Sequence, residues 1–156
     1  MSAAGRYICF NLGSQEYGVP LLSIKEVLGF PEVTPIPQTP KHFLGIMNLR
    51  GNVISVMDLR VKIGLSSENT EETSVMIFDS GHYVLGVVVD KINSVISIAE
   101  ADISERPVLE SNASTDYIEH IYRSKDQLVL LVSIARALSL EDQEVLTHIE
   151  QQQKAA

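Results

Sequence analysis

The stretch that most constrains the fold runs from Gly45 to Arg60, where Gly51-Asn52 sits between two apolar runs. Glycine accepts the positive φ that the first central residue of a type II′ turn demands, so this dipeptide predicts a two-residue hairpin. Such a turn pairs Arg50 with Val53, Leu49 with Ile54, Asn48 with Ser55 and Met47 with Val56. Strand side chains alternate, which sorts these pairs onto two faces. One face is wholly apolar, with Met47, Leu49, Ile54 and Val56, while the other carries Asn48, Arg50, Val53 and Ser55. A single arginine thus stands at the tip of a half-polar ribbon. Asp58 ends the second strand, and its carboxylate is suited to cap a short helical turn over residues 59–63.

Other elements follow around this hairpin. Tyr7 to Leu12 reads as a strand, Gly13 to Glu16 as a turn and Tyr17 to Pro20 as the return. Leu21, Leu22, Ile24, Val27 and Leu28 recur at helical spacing and predict a short amphipathic helix that carries Glu26. Four prolines between Pro31 and Pro40 exclude helix next and leave an extended edge segment over residues 32–36. Residues 66–72 are a polar connection. Beyond it Phe78, Gly86, Val87, Ile92, Val95 and Ile96 each lie 68 positions after Phe10, Gly18, Val19, Ile24, Val27 and Leu28, which indicates an internal duplication. Tyr117 to Val132 repeats the strand, turn, strand order of the central hairpin, after an insertion-prone loop over 104–115. Ser139-Leu140-Glu141-Asp142 resembles a capping box, and Leu138, Val145, Leu146 and Ile149 form a stripe. A terminal helix over about 139–153 should pack on the body and fray near Gln151.

The expected fold is mainly β: one domain over 1–156 made of two small intertwined five-stranded barrels, about 7–65 and 73–138, that share a hydrophobic core, with short helices and a C-terminal helix. A chain of 156 residues with 45% hydrophobic and 21% charged positions can bury such a core. A net charge of -8 opposes contact with nucleic acid and with anionic membrane surfaces. No apolar run approaches the ~20 residues of a membrane span, and Met1 to Arg6 lacks a signal-peptide core. The lone Cys9 excludes an internal disulfide, and a reducing cytoplasmic setting is expected. His42, His82, His120 and His148 are scattered over unlike elements with no ligand or triad partner at motif spacing, so neither enzymatic activity nor a metal or cofactor is expected.

What stands out instead is Arg50, for which Glu26 on the preceding element is the expected partner, since a charged pair on an apolar surface reads as an interface feature. Asn48-Leu49-Arg50-Gly51, followed by Asp58-Leu59-Arg60, resembles the signature of the CheW family, adaptors that couple bacterial chemoreceptors to the histidine kinase CheA. The resemblance spans Tyr7 to about Leu140, with one departure: many members have proline where this chain has Ser55. It implies two five-stranded SH3-like barrels and no cofactor. It also implies a groove for the tip of a methyl-accepting chemoreceptor, bordered by Glu26 and Arg50, with Ile24, Gly45 and Val95 as further receptor positions. By pattern alone Ile24 and Val95 suit a core equally well. Val108 and Leu109 are an apolar pair in a charged loop that either tucks onto the body or stays open. The resemblance implies that this pair, Leu109 foremost, meets the kinase regulatory domain or another adaptor in a ring. The rival readings are an adaptor of another chemosensory pathway, such as one serving type IV pili, and a barrel-type small-ligand sensor, which needs a cavity with convergent polar groups.

Overall fold

A computed structural model describes residues 4–105, 117–124 and 126–155. In chain order the strands are β1 (Gly5–Leu12), β2 (Gln15–Pro20), β3 (Ile24–Gly29), β4 (Phe43–Leu49), β5 (Asn52–Asp58), β6 (Ser74–Asp79), β7 (Val84–Val89), β8 (Lys91–Ile98), β9 (Ile103–Glu105), β10 (Ile118–Ser124) and β11 (Gln127–Val132). Short helices α1 (Leu59–Lys62) and α2 (Ile134–Ala137) follow β5 and β11, and α3 (Leu140–Ala155) ends the fold.

The strands form a six-stranded sheet, β8-β1-β2-β11-β10-β9, and a five-stranded sheet, β3-β6-β7-β5-β4. The order of elements repeats: β1, β2 and β3 have their like in β6, β7 and β8, and the β4–β5 hairpin with α1 has its like in the β10–β11 hairpin with α2. Repeats and sheets do not coincide, however. Each sheet takes the first hairpin of one repeat and the third strand and second hairpin of the other, so the two SH3-like barrels are intertwined. Both close through the chain itself. Thr34, just after β3, exchanges backbone hydrogen bonds of 2.8 and 2.9 Å with Ile46 on the outer edge of β4. Likewise β9, just after β8, pairs with the outer edge of β10.

This exchange buries the central strands on both faces, which is why they read as continuous apolar runs. In β6, Met76 and Phe78 enter a core shared by the barrels, while Val75 and Ile77 fill the interior of the five-stranded one. In β1, Ile8 and Phe10 join the same shared core, and Tyr7 and Cys9 line the six-stranded interior. There burial, with some repulsion from Glu16, pushes the Cys9 thiol up to about 12, so it packs as an unreactive side chain.

Two local expectations fail. Residues 21–28 are not a helix: Leu21–Ser23 forms a single 3₁₀ turn and the rest is β3. Five apolar residues in eight fit a helical stripe by chance of spacing, but pairing with β6, Ile24 opposite Phe78 and Leu28 opposite Val75, imposes period two. The central hairpin also turns one residue early. Leu49 pairs with Asn52, so the turn residues are Arg50 and Gly51, at φ 51° and 88°. Positive φ at both positions is the type I′ requirement, whose twist matches the strands better than the expected geometry does. The pairing moves by two positions, parity is kept, and Met47, Ile54 and Val56 still face the interior with Leu49 packed beside them. Arg50 leaves the strand and becomes the first turn residue.

Candidate functional site

The turn position gives Arg50 its reach. Asn48 Oδ1 accepts from Gly51 N at 2.9 Å and stabilises the tip. From there Arg50 Nη1 donates to Glu26 Oε1 at 2.9 Å. Glu26 lies on β3 and Arg50 directly follows β4, the two outermost strands of the five-stranded sheet, so the pair ties the sheet's edges together. The Arg50 side chain is 70% exposed and that of Glu26 27%, leaving the guanidinium outermost. Beside them Lys25 Nζ meets Asp79 Oδ2 at 3.0 Å, again with the cation more exposed, 60% against 28%. The Asp79 carboxyl is held below the usual range, first by the Gly81 N–H and then by Lys25.

These two ion pairs rim a groove of about 520 Å³ at the barrel mouth. Its apolar lining combines Leu49, Ile54 and Ile77 with Leu146 and Ile149 of α3, and the β6–β7 turn at His82 and Tyr83 forms one side. The wall contributed by α3 depends on Asp142, which is fully buried. Its Oδ1 lies 2.6 Å from His42 Nε2, and its Oδ2 accepts from Lys62 Nζ at 2.7 Å and Ser139 N at 3.0 Å. Ser139 Oγ accepts in return from Asp142 N, completing the expected capping box. Burial alone would raise the Asp142 carboxyl, but Lys62, the Ser139 N–H and His42 together hold it below its ordinary value.

The other expected partner-contact residues are placed differently. Gly45 is buried, at φ 144°, and a Cβ there would lie 2.0 Å from Thr34 O. No side chain fits, so Gly45 acts on its surroundings only through the backbone. Ile24 is half-buried against the shared core. Val95 is 48% exposed on β8, in the six-stranded sheet, and does not line the groove. Val108 and Leu109 lie outside the described residues.

The chain's motif pointed to Asp58 as a cap, and Asp58 Oδ1 does accept from Arg60 N at 3.0 Å. The role of Arg60 itself escaped sequence reasoning. It is 1% exposed, with Nε and Nη2 each 2.9 Å from Asp58, Nη1 bonded to Asp90 Oδ1 and Glu68 O, and Nη2 to Asn69 Oδ1. Asp90 Oδ2 in turn accepts from Gly13 N. One buried guanidinium thus joins α1, the linker, the β7–β8 connection and the β1–β2 turn. The signal available was Asp58 two residues before Arg60 in an apolar context, which suits either a cap or an internal pair.

Residues 6–142 match the family model for the CheW-like domain. The chain is 31% identical over 144 residues to the chemotaxis protein CheW of Klebsiella aerogenes, covering 92% of this chain and 87% of that one. It is 32% identical over 113 residues to Protein FrzA of Myxococcus xanthus, covering 72% and 70%. Its fold is similar to that of the scaffolding protein TtCheW from Thermoanaerobacter tengcongensis, with a TM-score of 0.81, 26% identity and coverage of 89% and 95%.

Proposed function

The chain belongs to the CheW-like family, and from that premise we propose that it is a non-enzymatic cytoplasmic adaptor that couples chemoreceptors to a CheA-type histidine kinase. The observation that carries this reading is the Glu26–Arg50 pair, displayed at the mouth of the five-stranded barrel with the guanidinium outermost. An exposed pair contributes little to folding, so its placement is better accounted for by a partner. In this reading Glu26 and Arg50 border the receptor contact. Ile24 on β3 and Val95 on the six-stranded sheet are assigned to the same partner, and Gly45 fixes the backbone of β4. Val108 and Leu109 are assigned to contacts with the kinase regulatory domain or with another adaptor in a ring. Among the described residues no helix is long and apolar enough to cross a membrane. The receptor would supply the attachment.

The test is co-sedimentation of the full chain with chemoreceptor-bearing membranes and the kinase. Arg50→Ala and Glu26→Ala should each weaken association with the thermal melt unchanged. The swap of Glu26→Arg with Arg50→Glu should recover part of the loss, which a double-mutant cycle reads as coupling energy. Strictly additive losses would remove the pair from the receptor contact. For the ring assignment, Leu109→Ser should leave the melt unchanged and reduce higher-order assembly, whereas a large loss of stability would make Leu109 a core residue. A second reading, an adaptor of another chemosensory pathway, is favoured by the similarity to Protein FrzA. Identifying which kinase and receptors co-purify with the chain distinguishes the two.

A further inference from the structure

We infer that β8 is a self-association strand: its outer edge pairs antiparallel with β8 of a second copy of the chain, about a two-fold axis at Val95. The strand is long and bonded on one side alone. Lys91–Ile98 pairs with β1, and among the described residues no other backbone hydrogen bond reaches it. Its outward N–H and C=O groups are therefore available to a further strand. Five of its eight residues, Lys91, Asn93, Ser94, Val95 and Ser97, are exposed, so the strand lies open to solvent. The other repeat shows what a guarded edge looks like. There β3, which also pairs along one side, carries Lys25 and Glu26, and Glu26 is bonded to Arg50 from the hairpin that follows. At the matching places β8 has Asn93 and Ser94. From Ile92 to Ile98 there is no charge, proline or glycine, and Ile92, Val95, Ile96 and Ile98 are β-branched. Charges and proline are what keep an edge from pairing with another chain, and this segment has neither.

A second copy is the occupant this strand fits. A two-fold axis normal to the sheet brings the residue that lies on it against its own copy. Centred on Val95, the pairing sets Ser94 opposite Ile96, Asn93 opposite Ser97, Ile92 opposite Ile98 and Lys91 opposite Ala99. Val95, 48% exposed, is then covered by its own copy as a β-branched cross-strand pair. The one cation of each strand, Lys91, stands about 27 Å along the strands from its copy, beyond the screening length of ordinary salt, and comes beside Glu100 of the second copy. Asp90, the next residue, turns its carboxylate to Arg60 and Gly13 instead. Two single edges bury little surface, which makes the dimer weak and dependent on chain concentration. Pairing also withdraws Val95 from any other partner.

The test uses the purified full chain alone. Sedimentation equilibrium from micromolar to millimolar concentration should show the average mass rising from one chain towards two. Over the same range amide hydrogen exchange should slow at alternate residues of β8, as new ladder bonds form, and stay constant in β3. Val95→Lys sets like charges against each other across the axis and should hold the chain monomeric with the melt unchanged. Val95→Cys should cross-link to a covalent dimer under mild oxidation about tenfold faster than Leu140→Cys, since directly opposed strand residues lie within disulfide reach. Leu140 is the more exposed of the two positions, and the buried Cys9 thiol does not compete. A chain that stays monomeric at millimolar concentration, a dimer that survives Val95→Lys, or equal cross-linking of the two cysteine variants would overturn the proposal. Receptor association enters none of these readings, so their failure leaves the receptor assignment of Val95 standing, and failure of that assignment leaves the self-pairing standing.

Discussion

The two barrels share a strand plan and differ in how charge is spent on it. At the mouth of the five-stranded barrel Glu26 meets Arg50. One repeat later the residue matching Glu26 is Ser94, so the six-stranded barrel has no acid at that place. Its adjoining strands are held instead by amides around one carboxylate: Asn93 Nδ2 and Gln127 Nε2 both donate to Glu16, at 2.8 and 2.6 Å. Behind the hairpins the contrast repeats. Asp58 caps α1 and receives Arg60, whereas Ser133 caps α2 and the place matching Arg60 is Ala135. A shared backbone plan therefore needs neither ion pair nor buried arginine. Apolar alternation and closure by the segment just after β3 or β8 suffice for a barrel, and the charges in one copy join separate elements.

The largest effect expected from this contrast is at Arg60. Arg60→Leu leaves Asp58 buried without its cation and should cost about 3–5 kcal/mol, read by denaturant unfolding. Ala135→Leu, the matching change in the other repeat at an exposed position, should move stability little. Equal losses would mean that the buried pair does not distinguish the copies. Next comes the hairpin edge. Each hairpin has a register shift at the same place, between Phe43 and Gly45 in β4 and between Ile118 and His120 in β10. One accepts only glycine because Thr34 O lies above it, and the other carries histidine. Gly45→Ala should cost about 2–3 kcal/mol and expose the Ile46 amide to hydrogen exchange. An unchanged exchange rate there would show that the Thr34 closure tolerates a side chain.

A smaller effect concerns α3, which has no counterpart after β5 and α1 in the chain. Asp142→Asn removes a charge that Lys62 and His42 face and should cost about 1.5–3 kcal/mol. Because the folded carboxyl titrates below its ordinary value, its contribution is full above the unfolded pKa and is lost as pH falls through the lower folded one. The helix should thus remain docked in mild acid and release only below the usual carboxylate range, which an acid titration followed by circular dichroism reads. In Asp142→Asn that acid-dependent step should shrink. The smallest effect is at the rim, where Arg50→Ala should leave stability unchanged because the guanidinium is exposed. A measurable fall in the melt would make the pair a structural closure of the five-stranded barrel rather than an interface feature.

Particular residues show how far the sequence reached. The alternation in 47–56, the matches at an offset of 68, and the Ser139 box were all legible, because period, repetition and capping are local rules that need no partner strand. The same local rules misread residues 21–28, where Leu21, Leu22, Ile24, Val27 and Leu28 satisfy a helical spacing that pairing with β6 overrides. They also placed the hairpin turn one residue late, since Gly51 fits either the first position of a II′ turn or the second of a I′ turn and only strand twist chooses. By itself, then, the sequence determined a duplicated, strand-rich chain with a two-faced central hairpin and an arginine at its tip. Only tertiary structure decided that the repeats exchange hairpins, that Arg60 rather than Arg50 is the buried one, and that Glu26 comes within 2.9 Å of Arg50 across the closed edges of a sheet. The physical reason is that those outcomes depend on pairing between segments distant in the chain, which burial of both sheet faces selects and no local period encodes.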